Sequence, residues 1–322
     1  DLGSWMGFAL SDDKTNTGFS GPYILGVEHG IWASNNFTSL DLVDENGNSL
    51  LRNLNYSEQN YFPGKLENQI TFEEINLKST LIFTSSKSLV ISTIITNNGN
   101  QKLEFTPQWE GEIFHQIGHF INKDTHLITL MEKGQKIYLN PISDEPFNIY
   151  SDSNKYVVSL KNDNLKPKET KTYSIEIQYH PDQKKPQQTI RKINISKAVE
   201  DNQLRWGKYL EITKNNSLSK DEKLILTKSI CTLINNWRSA AGELKHDGLF
   251  PSYHYKWFQG FWSWDSWKHA VALVKIDAEL SKNQVRAMYD YQNKDGMIAD
   301  CIFRDTTIEK HNWRDTKPPL SS

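Results

Sequence analysis

The spacing of apolar residues changes once along this chain, and that change limits the possible folds more than any single motif. From Trp5 to about Tyr179 the period is that of strands. In YSIEIQY the apolar side chains Tyr173, Ile175, Ile177 and Tyr179 alternate, and SLVISTIIT and KYVVSLK are rich in β-branched residues. Asn46-Gly47 and Asn98-Gly99 sit between apolar runs, where a tight hairpin needs positive φ angles. Many short strands without intervening helical patterns point to an antiparallel β-sandwich. The Pro/Lys/Gln-rich run HPDQKKPQQ, residues 180–188, breaks the pattern. After it the period is helical. A linking helix is predicted from Ile190 to about Thr213, with Ala198, Leu204 and Trp206 among its apolar positions. Ser219 and Glu222 form a capping box ahead of Leu226, Ile230, Leu233, Trp237 and Ala241, which trace one face over more than four turns. Further helices are predicted at about 265–275 and 278–292, and Pro318 and Pro319 suit the first turn of another. The predicted organisation is a β-sandwich domain at 1–183, a linker with a helix at 184–217, and a helical domain at 218–322.

The charge balance of −2 gives no electrostatic footprint for nucleic acid or an acidic membrane surface. No apolar run approaches the length of a membrane span, and the mean hydropathy is −0.63. Cys231 and Cys301 have no metal or disulfide spacing and read as small buried side chains. The nine histidines are scattered, and neither a G-x-G-x-x-G nor a Walker pattern occurs, so no metal or cofactor is expected. DENGN, residues 44–48, has alternating oxygen ligands but misplaces its glycine for an EF-hand, and reads as a hairpin turn. A start at Asp1 without methionine fits a processed or trimmed chain, and an exported or periplasmic location is favoured over a cytoplasmic one.

Chemistry concentrates between Leu244 and Lys268. Eight of the fifteen residues from Tyr253 to Trp267 are aromatic, and they close around one carboxylate, Asp265. Aromatic faces stack on the C–H faces of sugar rings, and indoles around an acid disfavour its ionised form, so that its proton is kept for donation. The same residues also fit a structural role, the aromatics as core and Asp265 as the N-cap of the helix in SWKHAVALVKI.

The run NNWRSAAGELKHDGLFPSYHYKWFQGFWSWDSWKHA, with NQVRAMYDYQNKDGMIADCIF and NWRDTKPPLSS after it, resembles glycoside hydrolase family 63 in its bacterial α-glucosidase-like branch. The opening DLGSWMGFALSDDKTNTGFSGPYIL is similar to the start of the β-domain that precedes the catalytic domain there. Residues 50–183 resemble it only in order and length. The resemblance implies an N-terminal all-β sandwich followed by an all-α (α/α)6 toroid. Twelve helices of about 11 residues with their connections exceed the stretch from Leu218 to Ser322, so the toroid is expected to be incomplete.

The implied activity is inverting hydrolysis of small α-linked gluco-oligosaccharides, with water as the second substrate. Asp265 matches the general acid. Trp262, Trp264 and Trp267 are implied to include sugar platforms, the remainder being core, and Lys268 to bond a sugar hydroxyl, to steady Asp265 or to stay in solvent. Trp313, Thr316 and Lys317 match a segment bordering the pocket. The family's general base lies in a later helix-to-helix loop, and Asp300, Asp305, Glu309 and Asp315 do not match it. This chain alone is therefore expected to be inactive. In KHDG, His246 and Asp247 read as loop-shaping residues. Two rival readings are a carbohydrate-binding β-module with a helical appendage and an inert remnant.

Overall fold

The computed structural model describes residues 1–26, 30–51, 58–123, 126–131, 134–181, 193–253, 255 and 258–313. The chain packs as two units. One comprises Met6–Ile24 and Ile31–Ala198; the other comprises Asp1–Trp5, Leu25–Gly30 and Val199–Ser322.

The first is the β-unit. Its strands are β1 (Met6–Ala9), β2 (Ser20–Ile24), β3 (Ile31–Trp32), β4 (Ser39–Val43), β5 (Glu58–Phe62), β6 (Lys65–Phe72), β7 (Ile75–Phe83) and β8 (Ser88–Asn97). They continue with β9 (Leu103–Glu112), β10 (Gly118–Lys123), β11 (His126–Met131), β12 (Lys136–Ile142), β13 (Phe147–Asp152), β14 (Lys155–Leu160), β15 (Asp163–Leu165) and β16 (Thr170–Tyr179). Eight of them form one sheet in the order β10-β11-β12-β16-β8-β7-β6-β5. In a second sheet β9 is the hub: β4 runs along one side of it, and β14, which also carries β13, and β15 along the other. β1, β2 and β3 make a small third sheet. The two large sheets face each other as a sandwich, with Phe105 against Tyr173 at 6.3 Å and Phe120 against Tyr156 at 5.0 Å between ring centroids.

The alternation in β16 is realised on one side, where Ile175, Ile177 and Tyr179 are buried. The other side departs from it, because Ser174, Glu176 and Gln178 are buried as well. Hydrogen bonds compensate. Asn140 donates to Glu176 at 3.3 Å, and the Ser92 and Ser174 hydroxyls lie 2.8 Å apart.

Asn46-Gly47 turns the predicted hairpin, with Gly47 at φ +78° and the Asp44 carboxylate accepting the amides of Asn46 and Asn48. Asn98-Gly99 does not make a hairpin. It carries the chain from β8 in one sheet to β9 in the other, and the Asn97 amide holds the crossing by donating to the carbonyls of Gln101, Leu165 and Lys166.

In the helical unit, α1 spans Ile195–Tyr209, ending short of the predicted Thr213, and Leu204 lies exposed rather than in the core. α2 (Lys220–Asn236) begins with both halves of the Ser219/Glu222 capping box. It stops before Trp237 and Ala241, because Trp237 turns extended and enters the ribbon β17 (Trp237–Arg238) with β18 (Gly248–Leu249). A second ribbon, β19 (Phe261–Trp262) with β20 (Cys301–Ile302), flanks α3 (Ser263–Leu273) and α4 (Ala278–Tyr289). Four α-helices are thus described, and they do not make a complete (α/α)6 toroid. Pro318 and Pro319 lie outside the described residues.

The core of this unit joins Trp206 and Tyr209 of α1, Ile230, Cys231 and Ile234 of α2, and Leu249, Leu273, Ile276 and Leu280. Residues 1–5 belong to it. The Trp5 indole donates to the Ser239 carbonyl and meets Phe250 edge-on, while the Asp1 carboxylate accepts from Arg205 and Trp206. Cys231 and Cys301 are both buried free thiols.

Two glycines of the β-unit make a test. A Cβ on Gly111 would lie 2.0 Å from the Phe37 carbonyl oxygen, whereas one on Gly47 meets nothing and suffers only from its positive φ. Gly111→Ala should therefore destabilise the β-unit by roughly 2 kcal/mol or more and Gly47→Ala by about 1 kcal/mol, read from urea unfolding midpoints. Equal costs would contradict the packing described.

Candidate functional site

Pairing of β19 with β20 carries extended backbone as far as Trp262, which is the N-cap of α3 without a side-chain cap bond. The first helical amide, Ser263 N–H, donates to the Asp300 carbonyl at 2.9 Å. The helix therefore starts two residues before Asp265. Asp265 is not the N-cap that sequence reasoning allowed; it is half-buried in the first turn, where a carboxylate complements the helix dipole.

The tryptophans divide by environment. Trp264 is 37% exposed, with the Lys268 ammonium 4.4 Å from its ring centroid, an i,i+4 pair. Trp267 is 5% exposed and packs on Tyr289 at 6.2 Å, so it serves the core. Trp262 is half-buried, meets Phe258 edge-on at 5.9 Å, and has a buried indole N–H with no acceptor among the described residues. Asn312 pairs with Cys301, and Trp262 pairs with Cys301 from the opposite strand. This brings Trp313, 37% exposed, to the same ribbon as Trp262. Lys317, Thr316 and Asp315 lie outside the described residues.

The other carboxylates have distinct surroundings. Asp300 is buried, and Glu309 is exposed. Asp305 accepts from the amide and hydroxyl of Thr307, and the hydroxyl bond foremost holds its carboxyl below the usual range. Asp247 takes the Trp237 indole and the Ala240 amide, each at 2.9 Å, and His246 Nδ1 lies 2.7 Å from Asp290. These contacts shape the loop between β17 and β18. Gln284, fully buried, ties the site to its support: it donates to Ser266 Oγ at 2.8 Å and accepts the Leu249 amide at 2.6 Å. Sequence spacing gave no sign of this link, because its three residues come from three elements. Among the described residues no group of three His, Cys, Asp or Glu side chains could hold a metal ion, and no helix is long and apolar enough to cross a membrane.

The β-unit has its own polar cleft of about 720 Å³, lined by Asp12, Asp13, Asp41, Glu110, Glu112 and neutral Ser, Thr and Asn side chains. Burial pushes the carboxyls of Asp41 and Glu110 up, and the Asp41 charge adds to the effect on Glu110. Among the described residues no aromatic side chain lines this cleft.

With the β-sandwich and its following helices described, comparison with known proteins places the chain in a glycoside-hydrolase-like group. Residues 1–165, just over half of the chain, match the family described as glucosidase YgjK, N-terminal, and residues 258–322 match the mannosylglycerate hydrolase MGH1-like glycoside hydrolase domain. The chain belongs to the glucosidase YgjK N-terminal family, within a glycoside-hydrolase-like group. Among solved structures, a protein from the human microbiome described as a kojibiose phosphorylase aligns over 89% of this chain at 10% identity and TM-score 0.54. This chain spans only 42% of that protein's length, and the likeness shows a shared fold. A galactose mutarotase-like protein from Lactobacillus casei ATCC 334 aligns over 54% of this chain and all of its own, at 9% identity and TM-score 0.39.

His269, one turn beyond Asp265, supplies a test of the site's burial. Desolvation lowers its pKa to about 4. A histidine depressed in the folded state contributes stability fully present above its unfolded value of about 6.5, and lost as pH falls to 4. The loss is on the order of 3 kcal/mol. His269→Gln should flatten the decline of the helical unit's unfolding free energy between pH 7 and 4; a variant that declines as steeply as the parent would show His269 to be hydrated.

Proposed function

We propose that this chain is part of an inverting α-glucosidase-type hydrolase of glycoside hydrolase family 63, acting on small α-linked gluco-oligosaccharides. The observation that carries the reading is the placement of Asp265 in the first turn of α3, next to the exposed Trp264 and at the end of the ribbon that bears Trp262. Inversion needs one carboxylic acid to protonate the leaving oxygen and a second carboxylate, across a gap of about 6.5–9.5 Å, to activate water on the opposite face of the sugar. Asp265 takes the first role. Trp264 stacks on a sugar ring beside it, and Lys268, lying over that indole, directs its ammonium toward ring hydroxyls.

The second role is unfilled by the carboxylates described. Asp305 is engaged by Thr307, Asp300 is buried, and Glu309 is an exposed loop residue. The general base is therefore assigned to a group other than these carboxylates, and by resemblance Lys317 is assigned to substrate binding. The alternative of a binding module in the β-unit has weaker support, since among the described residues no aromatic side chain lines its cleft.

The test uses the whole gene product, assayed on α-linked glucose disaccharides with and without inorganic phosphate. Release of free sugar with inverted anomeric configuration and no dependence on phosphate is expected, together with a loss of roughly 10²- to 10⁴-fold in kcat for Asp265→Asn. Undiminished turnover in that variant would sink the assignment of Asp265, and formation of a sugar phosphate would replace hydrolysis by phosphorolysis. Residues 1–322 alone should show no turnover.

A further inference from the structure

Asp265 is set between two polar anchors that come from outside its helix. Two residues earlier, the Ser263 amide donates to the Asp300 carbonyl and fixes where α3 starts along its axis. One residue later, the fully buried Ser266 hydroxyl accepts from the Gln284 side-chain amide at 2.8 Å. Gln284 belongs to α4 and is itself fully buried, and its carbonyl end accepts the Leu249 amide of β18 at 2.6 Å. A backbone amide only donates, so Leu249 decides which way the side chain faces: turned over, its NH2 would meet the Leu249 N–H donor to donor. Nε2 is thereby committed to Ser266. One turn away on both helices, Ser281 Oγ donates to the Ala270 carbonyl at 2.7 Å.

Apolar packing alone leaves a helix some freedom to roll. Trp267, Ala270 and Leu273 supply the buried apolar face of α3, and attraction between such side chains has no direction of its own. A hydrogen bond weakens steeply as it bends, so the Gln284 bridge opposes rotation where packing does not. Small angles matter here. A roll of about 10° carries an atom roughly 5–6 Å from the helix axis through about 1 Å, and a misplacement of about 1 Å at a reacting group can cost about 10²-fold in rate.

We infer that Gln284 is a positioning residue for the reaction: through Ser266 it fixes the roll of the first turn of α3, and with it the line along which the Asp265 carboxyl passes its proton to the leaving oxygen. Leu249 is the fixed point to which that setting is tied. The inference rests on the reading of Asp265 as general acid and adds the residue that aims it.

The test compares two substrates of the whole gene product: an α-linked glucose disaccharide, whose leaving alcohol needs a proton, and α-glucosyl fluoride, whose leaving fluoride is a far weaker base and needs little help. Gln284→Met, similar in length but with neither the amide donor nor the carbonyl acceptor, should lower kcat on the disaccharide by roughly 10- to 100-fold with KM near the parent's, and lower kcat on the fluoride far less. Gln284→Glu should keep most of the disaccharide activity, because burial holds that carboxyl protonated, so that it accepts from Leu249 and donates to Ser266 as the amide does. Ser266→Ala severs only the arm that reaches α3 and should show the same bias toward the fluoride; it decides the matter if Gln284→Met does not fold. Equal losses on both substrates, or none on either, would reduce Gln284 to a packing residue, while Asp265→Asn, still selective against the disaccharide, would leave the acid assignment standing. If Asp265→Asn itself costs both substrates equally, that assignment falls and the positioning role with it.

Discussion

The helical unit depends on the fit between one aromatic ring and two absent side chains. Phe261 is fully buried, lies against Phe250 at 5.8 Å, and leaves no room beside Gly248, where a Cβ would come within 2.7 Å of its ring. Gly260, just before it, is as tightly pressed on Cys301 and the Ile302 carbonyl. Flexible side chains could yield to such contacts, but here ring and backbone meet, and neither can move without disturbing a ribbon. The ribbons in turn decide where α3 begins. Asp265 owes its place in the first turn to that start, and Trp264 its exposure.

Much of the architecture was legible from apolar spacing, since strands and helices demand different periods. Partners were less so. Asn98-Gly99 has the composition of a hairpin, but Asn97 finds three carbonyl acceptors in the crossing between sheets, and Gly99 serves to let the Glu74 side chain approach rather than to reach a positive φ. The end of α2 was hidden because Trp237 continues the apolar stripe that ends, physically, where its backbone joins Leu249.

The site shows the same division. Motif and composition singled out Asp265 and its tryptophans, but residue type could not say that Trp264 faces solvent while Trp267, three residues on, fills the core against Tyr289. Packing against α4 makes that difference. Gln284 was equally silent: only the fold reveals that a buried amide links Ser266 to the Leu249 backbone.

The first five residues carry a consequence for assembly in time. The Trp5 indole reaches a carbonyl 234 positions later, and Asp1 reaches Arg205 across 204. During synthesis the β-unit's strands can pair as they emerge, while this short leading segment must wait for α1 and Ser239 before it can dock. Residues 1–5, made before the β-unit, are thus secured after it, and the helical unit closes only when the two ends of that long interval meet.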